Sequence, residues 1–256
     1  MKNKTIQDIK TLLESIYSPE DPVFTELADD PRKGVQSLLV KKQAEFQYLK
    51  DLEEDRRRML QYEKEAWSRG FQAVAGVDEV GRGPLAGPVV ACAVILPEDF
   101  PVLGIKDSKK LSHEQRAGLA GEIEEHAVSI SYGIRMADDI DQVNILEATK
   151  QAMLEALRDL DPSPDFILVD AEHLDTPTPQ KSLIKGDDNS YSIACASILA
   201  KEKRDDLMKD YAQDYPEYGF DQHAGYGTKA HLQALEEYGP TLIHRRSFAP
   251  VKRLLK

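Results

Sequence analysis

Apolar residues in the first 70 positions recur at helical spacing. Thr5 is a candidate N-cap, with Ile6, Ile9, Leu12, Leu13 and Ile16 on one stripe behind it. Glu20 to Asp30 is a short polar piece with Pro22 near its start. Beyond Pro31, Leu38, Leu39, Phe46, Leu49, Leu52, Met59 and Leu60 return at roughly helical intervals among Lys, Glu and Arg. The stretch from Asp51 to Arg58 is dense in charge of both signs, as a solvated helix face is.

After Gly70 the pattern changes. Phe71–Val77 and Val89–Leu96 are β-branched apolar runs on either side of a Gly/Pro-rich turn, which predicts a hairpin. Ser112–His126 reads as a helix, Val128–Ile134 as a third strand, and Ile145–Leu160 as a helix stopped by Pro162 and Pro164. Phe166–Val169 is a short buried strand that ends at Asp170, and Tyr191–Lys209 and Thr228–Tyr238 return to helix. A hairpin followed by strands alternating with helices predicts a mixed sheet in an α/β domain. The expected organisation is a helical extension over residues 1–70 and a second domain over 71–256.

Composition narrows this picture. With 256 residues, 41% hydrophobic and 30% charged, the chain can build a packed core. No apolar segment follows the charged start, so a secretory signal is not expected. The longest uncharged apolar stretch, Pro84 to Pro97, is 14 residues and too short to span a bilayer. Cys92 and Cys195 lie 103 positions apart in apolar surroundings, so they read as small core residues in a reducing, cytoplasmic protein. Net charge is −12, against coating nucleic acid by bulk attraction. The charge is uneven, however: residues 71–240 hold 15 basic and 31 acidic side chains, and the last 16 residues hold five basic and no acidic ones. An acidic middle can still handle a polyanion if metal ions occupy some carboxylates. Arg245, Arg246, Lys252 and Arg253 in the tail are candidate phosphate contacts.

The chemistry-bearing positions cluster. Asp78 and Glu79 sit together at the end of one apolar strand and Asp170 at the end of another, while Asp187 and Asp188 precede the Ser/Ala-rich helix. Neighbours on a strand point to opposite faces, so both Asp78 and Glu79 can serve one site only if the strand ends there. Adjacent parallel strands would bring Asp78 and Asp170 within about 5 Å. Such a carboxylate cluster needs a divalent cation to offset its repulsion, and hard oxygen donors select Mg²⁺ or Mn²⁺. Gly81-Arg-Gly-Pro-Leu-Ala86 matches the dinucleotide fingerprint in letters only, because Pro84, Gly87 and Pro88 prevent the helix that fingerprint must open. What remains is a loop beside Asp78 and Glu79 that a ligand can approach closely. Ser108 and Lys109 offer phosphate donors, and Tyr226, between two glycines and ahead of Thr228, offers a stacking platform.

On these residues the chain resembles the bacterial ribonuclease HII family of type 2 ribonucleases H. The resemblance rests on Gly76-Val-Asp-Glu-Val-Gly-Arg-Gly-Pro-Leu-Ala-Gly-Pro88, then Asp107-Ser-Lys-Lys-Leu111, Val169-Asp-Ala171, Lys185-Gly-Asp-Asp188, Ser197-Ile-Leu-Ala-Lys201 and Gly225-Tyr-Gly-Thr228, in family order. Residues 1–70 lie outside these motifs and look like the helical extension of some members. Cys92, Cys195, Glu202-Lys203 and Ala224 depart from the usual residues without replacing a motif carboxylate.

The resemblance implies a ribonuclease H-like fold with a mixed five-stranded sheet flanked by helices and a C-terminal helical region. It further implies a metal site of Asp78, Glu79, Asp170 and Asp187, holding two Mg²⁺ or Mn²⁺ ions with substrate bound. The implied substrates are RNA–DNA hybrids and DNA duplexes containing ribonucleotides, cut to 3′-hydroxyl and 5′-phosphate ends, including 5′ to a single ribonucleotide. Gly81, Arg82 and Gly83 would read the 2′-hydroxyl, Tyr226 would stack on the adjoining deoxyribose, and Ser108, Lys109 and Thr228 would also bind substrate. Arg82 argues against the ribonuclease HIII branch, in which Thr is usual between the two glycines. A monomer is expected.

Overall fold

The computed structural model describes residues 4–105 and 111–255. The chain divides into two compact units, Met1–Arg57 and Arg58–Lys256.

In the first unit, Thr5 and Asp8 form a reciprocal capping box that opens α1 (Ile6–Glu14). Asp21 and Pro22 open α2 (Pro22–Leu27), and α3 (Lys33–Met59) follows. Of the predicted stripe, Ile9 and Leu13 of α1 are buried and, with Ile16 just past its end, share a cluster with Leu27, Val35 and Leu39, whereas Leu12 is half-buried and Ile6 exposed.

The second unit runs α4 (Gln61–Ser68), β1 (Val74–Val80), β2 (Val89–Ile95), α5 (His113–His126), β3 (Ser129–Arg135), α6 (Ala137–Val143), α7 (Ile145–Arg158), β4 (Phe166–Asp170), β5 (Gln180–Leu183), α8 (Gly186–Asn189), α9 (Tyr191–Asp214), α10 (Phe220–His223), α11 (Lys229–Tyr238) and α12 (Ala249–Leu254). The strands form one mixed sheet in the order β3-β2-β1-β4-β5. The first three are antiparallel neighbours, and β1–β4 and β4–β5 are parallel.

Two local differences from the periodic reading have physical causes. β1 begins at Val74 rather than Phe71, because the Gln72 and Ala73 amides donate to the Asp165 carboxylate at 2.8 and 3.0 Å. Phe71 instead packs its ring on Phe166, 4.9 Å between centroids. β5 has no apolar alternation to announce it; it is a four-residue edge strand recruited by pairing with β4.

Helices cover both faces of the sheet. Cys92 and Val94 of β2 pack against Cys195, Ile198 and Leu199 of α9. Ala91 and Ala93 point the other way, toward Ala152, Met153 and Ala156 of α7. Close approach is possible only where side chains are absent: a Cβ at Gly76 would lie 2.3 Å from the Ser192 carbonyl carbon, and one at Gly133 would lie 1.9 Å from the Ala152 oxygen. Both cysteines are buried free thiols in this core. Among the described residues, no helix is long and apolar enough to cross a membrane.

Candidate active site

β1 and β4 run parallel with Val77 opposite Val169, so the next residue on each strand, Asp78 and Asp170, emerges at the same end of the sheet. The Gly186 amide donates to Asp170 Oδ1 at 2.5 Å, which ties the turn carrying Asp187 to the end of β4. A Cβ at Gly186 would meet Asp170 Oδ1 at 3.1 Å and the end of the Ile193 side chain at 2.7 Å, so the turn packs closely against both. Asp78, Glu79, Asp170 and Asp187 all line one cleft of about 360 Å³. Glu79 lines it together with Asp78 although both still pair with β2; pairing of β1 with β4 stops at Val77 and leaves that edge open. Asp188, the next residue of the same short turn, is exposed and does not line the cleft.

The cleft is electrostatically loaded. Burial pushes the Asp78 carboxyl well above the usual carboxylate range, and the charges of Glu79 and Asp170 push it further. The Ser197 hydroxyl and the Glu79 amide, the latter 2.8 Å from Oδ1, offset part of this by donating to Asp78. Glu79 is also raised by burial, against the opposing pull of the Arg82 cation. Arg82 Nη1 donates to Glu79 Oε1 at 3.3 Å and to Glu172 Oε1 at 2.9 Å. Glu79 Oε2 is buried without a hydrogen-bond partner among the described residues. An all-oxygen donor set, mutually repelling carboxylates and an orphaned buried carboxylate oxygen together fit a hard divalent cation.

The loop after β1 adjoins the site, although Gly81, Arg82 and Gly83 do not themselves line the cleft. Gly81 has φ +96°, and a Cβ there would lie 2.4 Å from Arg204 Nε and 2.7 Å from the Pro88 carbonyl, so only glycine fits. Gly83 is exposed, and a Cβ on it would stand 3.5 Å from the ring of Tyr226. Tyr226, half exposed, lines the cleft together with the carboxylates. Thr228 does not line it; its hydroxyl caps α11, accepting from the His231 amide at 3.3 Å. Ser108 and Lys109 lie outside the described residues. Two cations that the periodic reading did not single out, Arg116 of α5 and Lys201 of α9, also line the cleft. Asp205 pairs with both, and Glu202 with Arg116.

One expectation is corrected. Arg245 is not a tail residue open to phosphate: it is fully buried. Its guanidinium donates to the carbonyls of Gly81 (2.5 Å), Arg82 (3.0 Å) and Gly87 (2.9 and 3.0 Å). Burial and the nearby Arg204 cation push its pKa down to about 9. Arg204, also fully buried, donates to the carbonyls of Pro88, Ala86 and Ala224. These two arginines set the backbone of the loop, yet they are separated from it by more than a hundred residues in sequence, and no local pattern marks them. Arg246, Lys252 and Arg253 are exposed.

The family model described as Ribonuclease HII matches residues 75–251, and that described as Ribonuclease HII N-terminal domain matches residues 5–67. The chain is 49% identical over 256 residues to the ribonuclease HII of Bacillus thuringiensis strain Al Hakam, covering 100% of both chains. It is 49% identical over 252 residues to that of Bacillus licheniformis, covering 98% of this chain and 99% of the relative. Among solved structures, the ribonuclease H2 of Pyrococcus horikoshii OT3 is similar with a TM-score of 0.61 and 28% identity, over 71% of this chain and 96% of that one.

Proposed function

The chain belongs to the ribonuclease HII family and is a ribonuclease H endonuclease; we propose that it hydrolyses the RNA strand of RNA–DNA hybrids and cuts 5′ to single ribonucleotides embedded in duplex DNA, leaving 3′-hydroxyl and 5′-phosphate ends. The observation that carries this reading is the convergence of Asp78, Glu79, Asp170 and Asp187 in one cleft with Tyr226.

The four carboxylates would hold two divalent cations, Mg²⁺ or Mn²⁺, together with substrate phosphate oxygens. When bound, such ions supply a water-derived nucleophile at neutral pH and neutralise charge on the leaving 3′-oxygen. The protein's own contribution is positioning. Asp78 is fixed by Ser197 and the Glu79 amide, and Asp170 by the Gly186 amide. Gly81, Arg82 and Gly83 offer backbone groups to a 2′-hydroxyl, the one group that separates RNA from DNA at a given step. Tyr226 offers an exposed ring to the neighbouring deoxyribose, a sugar that a 2′-hydroxyl would crowd. Ser108 and Lys109 are assigned to phosphate contacts by their motif. Thr228 serves the substrate indirectly, by capping the helix that follows Tyr226. No histidine base is required. Residues 71–256 carry this chemistry, and residues 1–70 form a helical extension of it.

The test is cleavage of an end-labelled DNA duplex with one ribonucleotide, beside a duplex with a four-ribonucleotide run, in Mg²⁺, Mn²⁺ and chelator. A metal-dependent cut 5′ to the lone ribonucleotide is expected. Cutting only within the run would move the specificity to longer RNA stretches and remove the junction-reading role from Tyr226.

A further inference from the structure

We propose that the buried pair His244-Arg245 positions both proposed recognition surfaces at once, Arg245 by fixing the backbone of Gly81 and Arg82 beside the cleft and His244 by fixing Tyr226 through His231. The proposal rests on the reading of those two surfaces as the reader of the RNA–DNA junction.

The Arg245 side is direct, since its guanidinium fork holds three loop carbonyls in a fixed plane. The pair is itself woven into the loop. The Arg245 amide donates to the Leu85 carbonyl at 2.9 Å, and His244 bridges Ala86 across a short antiparallel pairing.

The His244 side is a relay whose direction is set at both ends by backbone groups. The Thr241 amide can only donate, and it lies 2.9 Å from His244 Nδ1, so that nitrogen accepts. The Tyr226 carbonyl can only accept, and it lies 2.9 Å from His231 Nδ1, so that nitrogen carries a proton. The remaining contact, 3.0 Å between the two Nε2 atoms, then runs from His244 N–H to His231. Each ring is neutral and in one tautomer. On the other side of Tyr226, its amide donates to the His223 carbonyl at 2.9 Å, and the His223 ring stacks on that of His231 at 4.7 Å. A histidine that only filled space would need no such order. Here every nitrogen in the pair is used, and the chain ends on the backbone of the residue whose ring faces Gly83.

The experiment compares full-length wild type with His244→Leu, His244→Gln and Arg245→Lys in Mn²⁺, on a DNA duplex with one ribonucleotide and on a uniform RNA–DNA hybrid. Leu fills the space without a donor; Gln restores a donor toward His231; Lys keeps the charge of Arg245 but loses its fork. His244→Leu should raise KM on the single-ribonucleotide duplex roughly tenfold to a hundredfold, the loss brought by a misplacement of about 1 Å, and raise it clearly less on the uniform hybrid. His244→Gln should recover most of that loss, and Arg245→Lys should weaken both substrates, because the loop reads a 2′-hydroxyl in each. Equal loss on both substrates in His244→Leu, no rescue by Gln, or no effect of Arg245→Lys would overturn the proposal. Nitrogen-15 imidazole spectra of the wild type test it independently of any variant's folding: His244 should be the Nε2–H tautomer and His231 the Nδ1–H tautomer at neutral pH, and any other assignment overturns it. If the wild type cuts neither duplex, the junction-reading function itself fails; if it cuts both and His244→Leu keeps the same ratio, only the relay does.

Discussion

The buried histidine pair gives the protein a defined sensitivity to acid. Burial, and then the neighbouring His231, push the His244 pKa from 6.5 down to about 4. The titratable groups facing it are His231 of α11 and Tyr218, whose ring centroid is 5.2 Å away; burial raises the Tyr218 phenol and keeps it neutral. The folded pKa lies below the unfolded one, so the contribution of His244 is fully present above pH 6.5. It is lost as pH falls toward 4, because the unfolded chain takes up a proton that the folded one refuses. Integrated between an unfolded value of about 6.5 and a folded value of about 4, the loss reaches about 2 kcal/mol by roughly pH 5.

The perturbation that isolates it is His244→Gln. Carboxylates titrate over the same range in both proteins, so the difference between them carries the histidine alone. The assay is urea unfolding at about pH 7.5 and about pH 5, followed by the fluorescence of Trp67. Trp67 is the only tryptophan, and it packs on the core of the unit that contains His244. Wild type should lose about 2 kcal/mol more than His244→Gln between the two pH values. Parallel losses would refute the reasoning, since they would mean that His244 titrates alike folded and unfolded.

Three further outcomes are expected. Asp78→Asn should lower turnover by at least about a hundredfold and yet raise the melting temperature of the chelated protein at neutral pH, because the raised pKa of Asp78 means that its charge costs folding energy above the unfolded carboxylate pKa. That stabilisation should vanish at about pH 3, where the carboxyl is protonated in both states; a variant melting lower than wild type in chelator would contradict it. Gly76→Ala should destabilise by roughly 3 kcal/mol or more in urea titrations, because its Cβ would fall 2.3 and 2.5 Å from backbone atoms of Ser192 and Ile193 that cannot turn aside. Glu63→Ala should cost about 3 kcal/mol by the same measurement: the buried Glu63 Oε1 accepts from Ser190 Oγ (2.6 Å), Ser192 N (3.0 Å) and Ser192 Oγ (2.7 Å), and its loss strands these donors at the start of α9, whereas Glu63→Gln keeps an acceptor and should cost less than half as much.

The elements of the second unit were legible because their patterns are local. The alternation in β2 places Cys92 and Val94 on one face and Ala91 and Ala93 on the other, and both are buried. Ser112, Ser190 and Thr228 each precede an apolar-periodic run and each accepts an amide at a helix start. β5 and the short helices α6 and α10 were not legible, since four to seven residues hold too little period and their backbone conformation depends on what they pair with or pack on. Asp78, Glu79 and Asp170 could be proposed from their places at strand ends, and Asp187 only from the likeness of its motif to the family's. The reach of Glu79 into the same cleft as Asp78 could not, because it depends on where pairing stops.

The helical character of the first unit and the α/β character of the second are legible in the chain's local order, as are the candidate residues of the carboxylate cluster. Hydrophobic period, cap residues and motif spacing are properties of neighbours along the chain. Which polar groups end up buried, and what satisfies them, follows from packing between distant segments. Arg245 has the composition of an exposed basic tail and becomes a core residue, because the carbonyls of Gly81, Arg82 and Gly87 turn inward and need donors where water does not reach. His231 and His244 likewise acquire a direction only when Thr241 and Tyr226 stand at their two ends. A hydrogen-bond demand created by a loop is met by residues brought from far along the chain, and that matching exists only once the chain has folded.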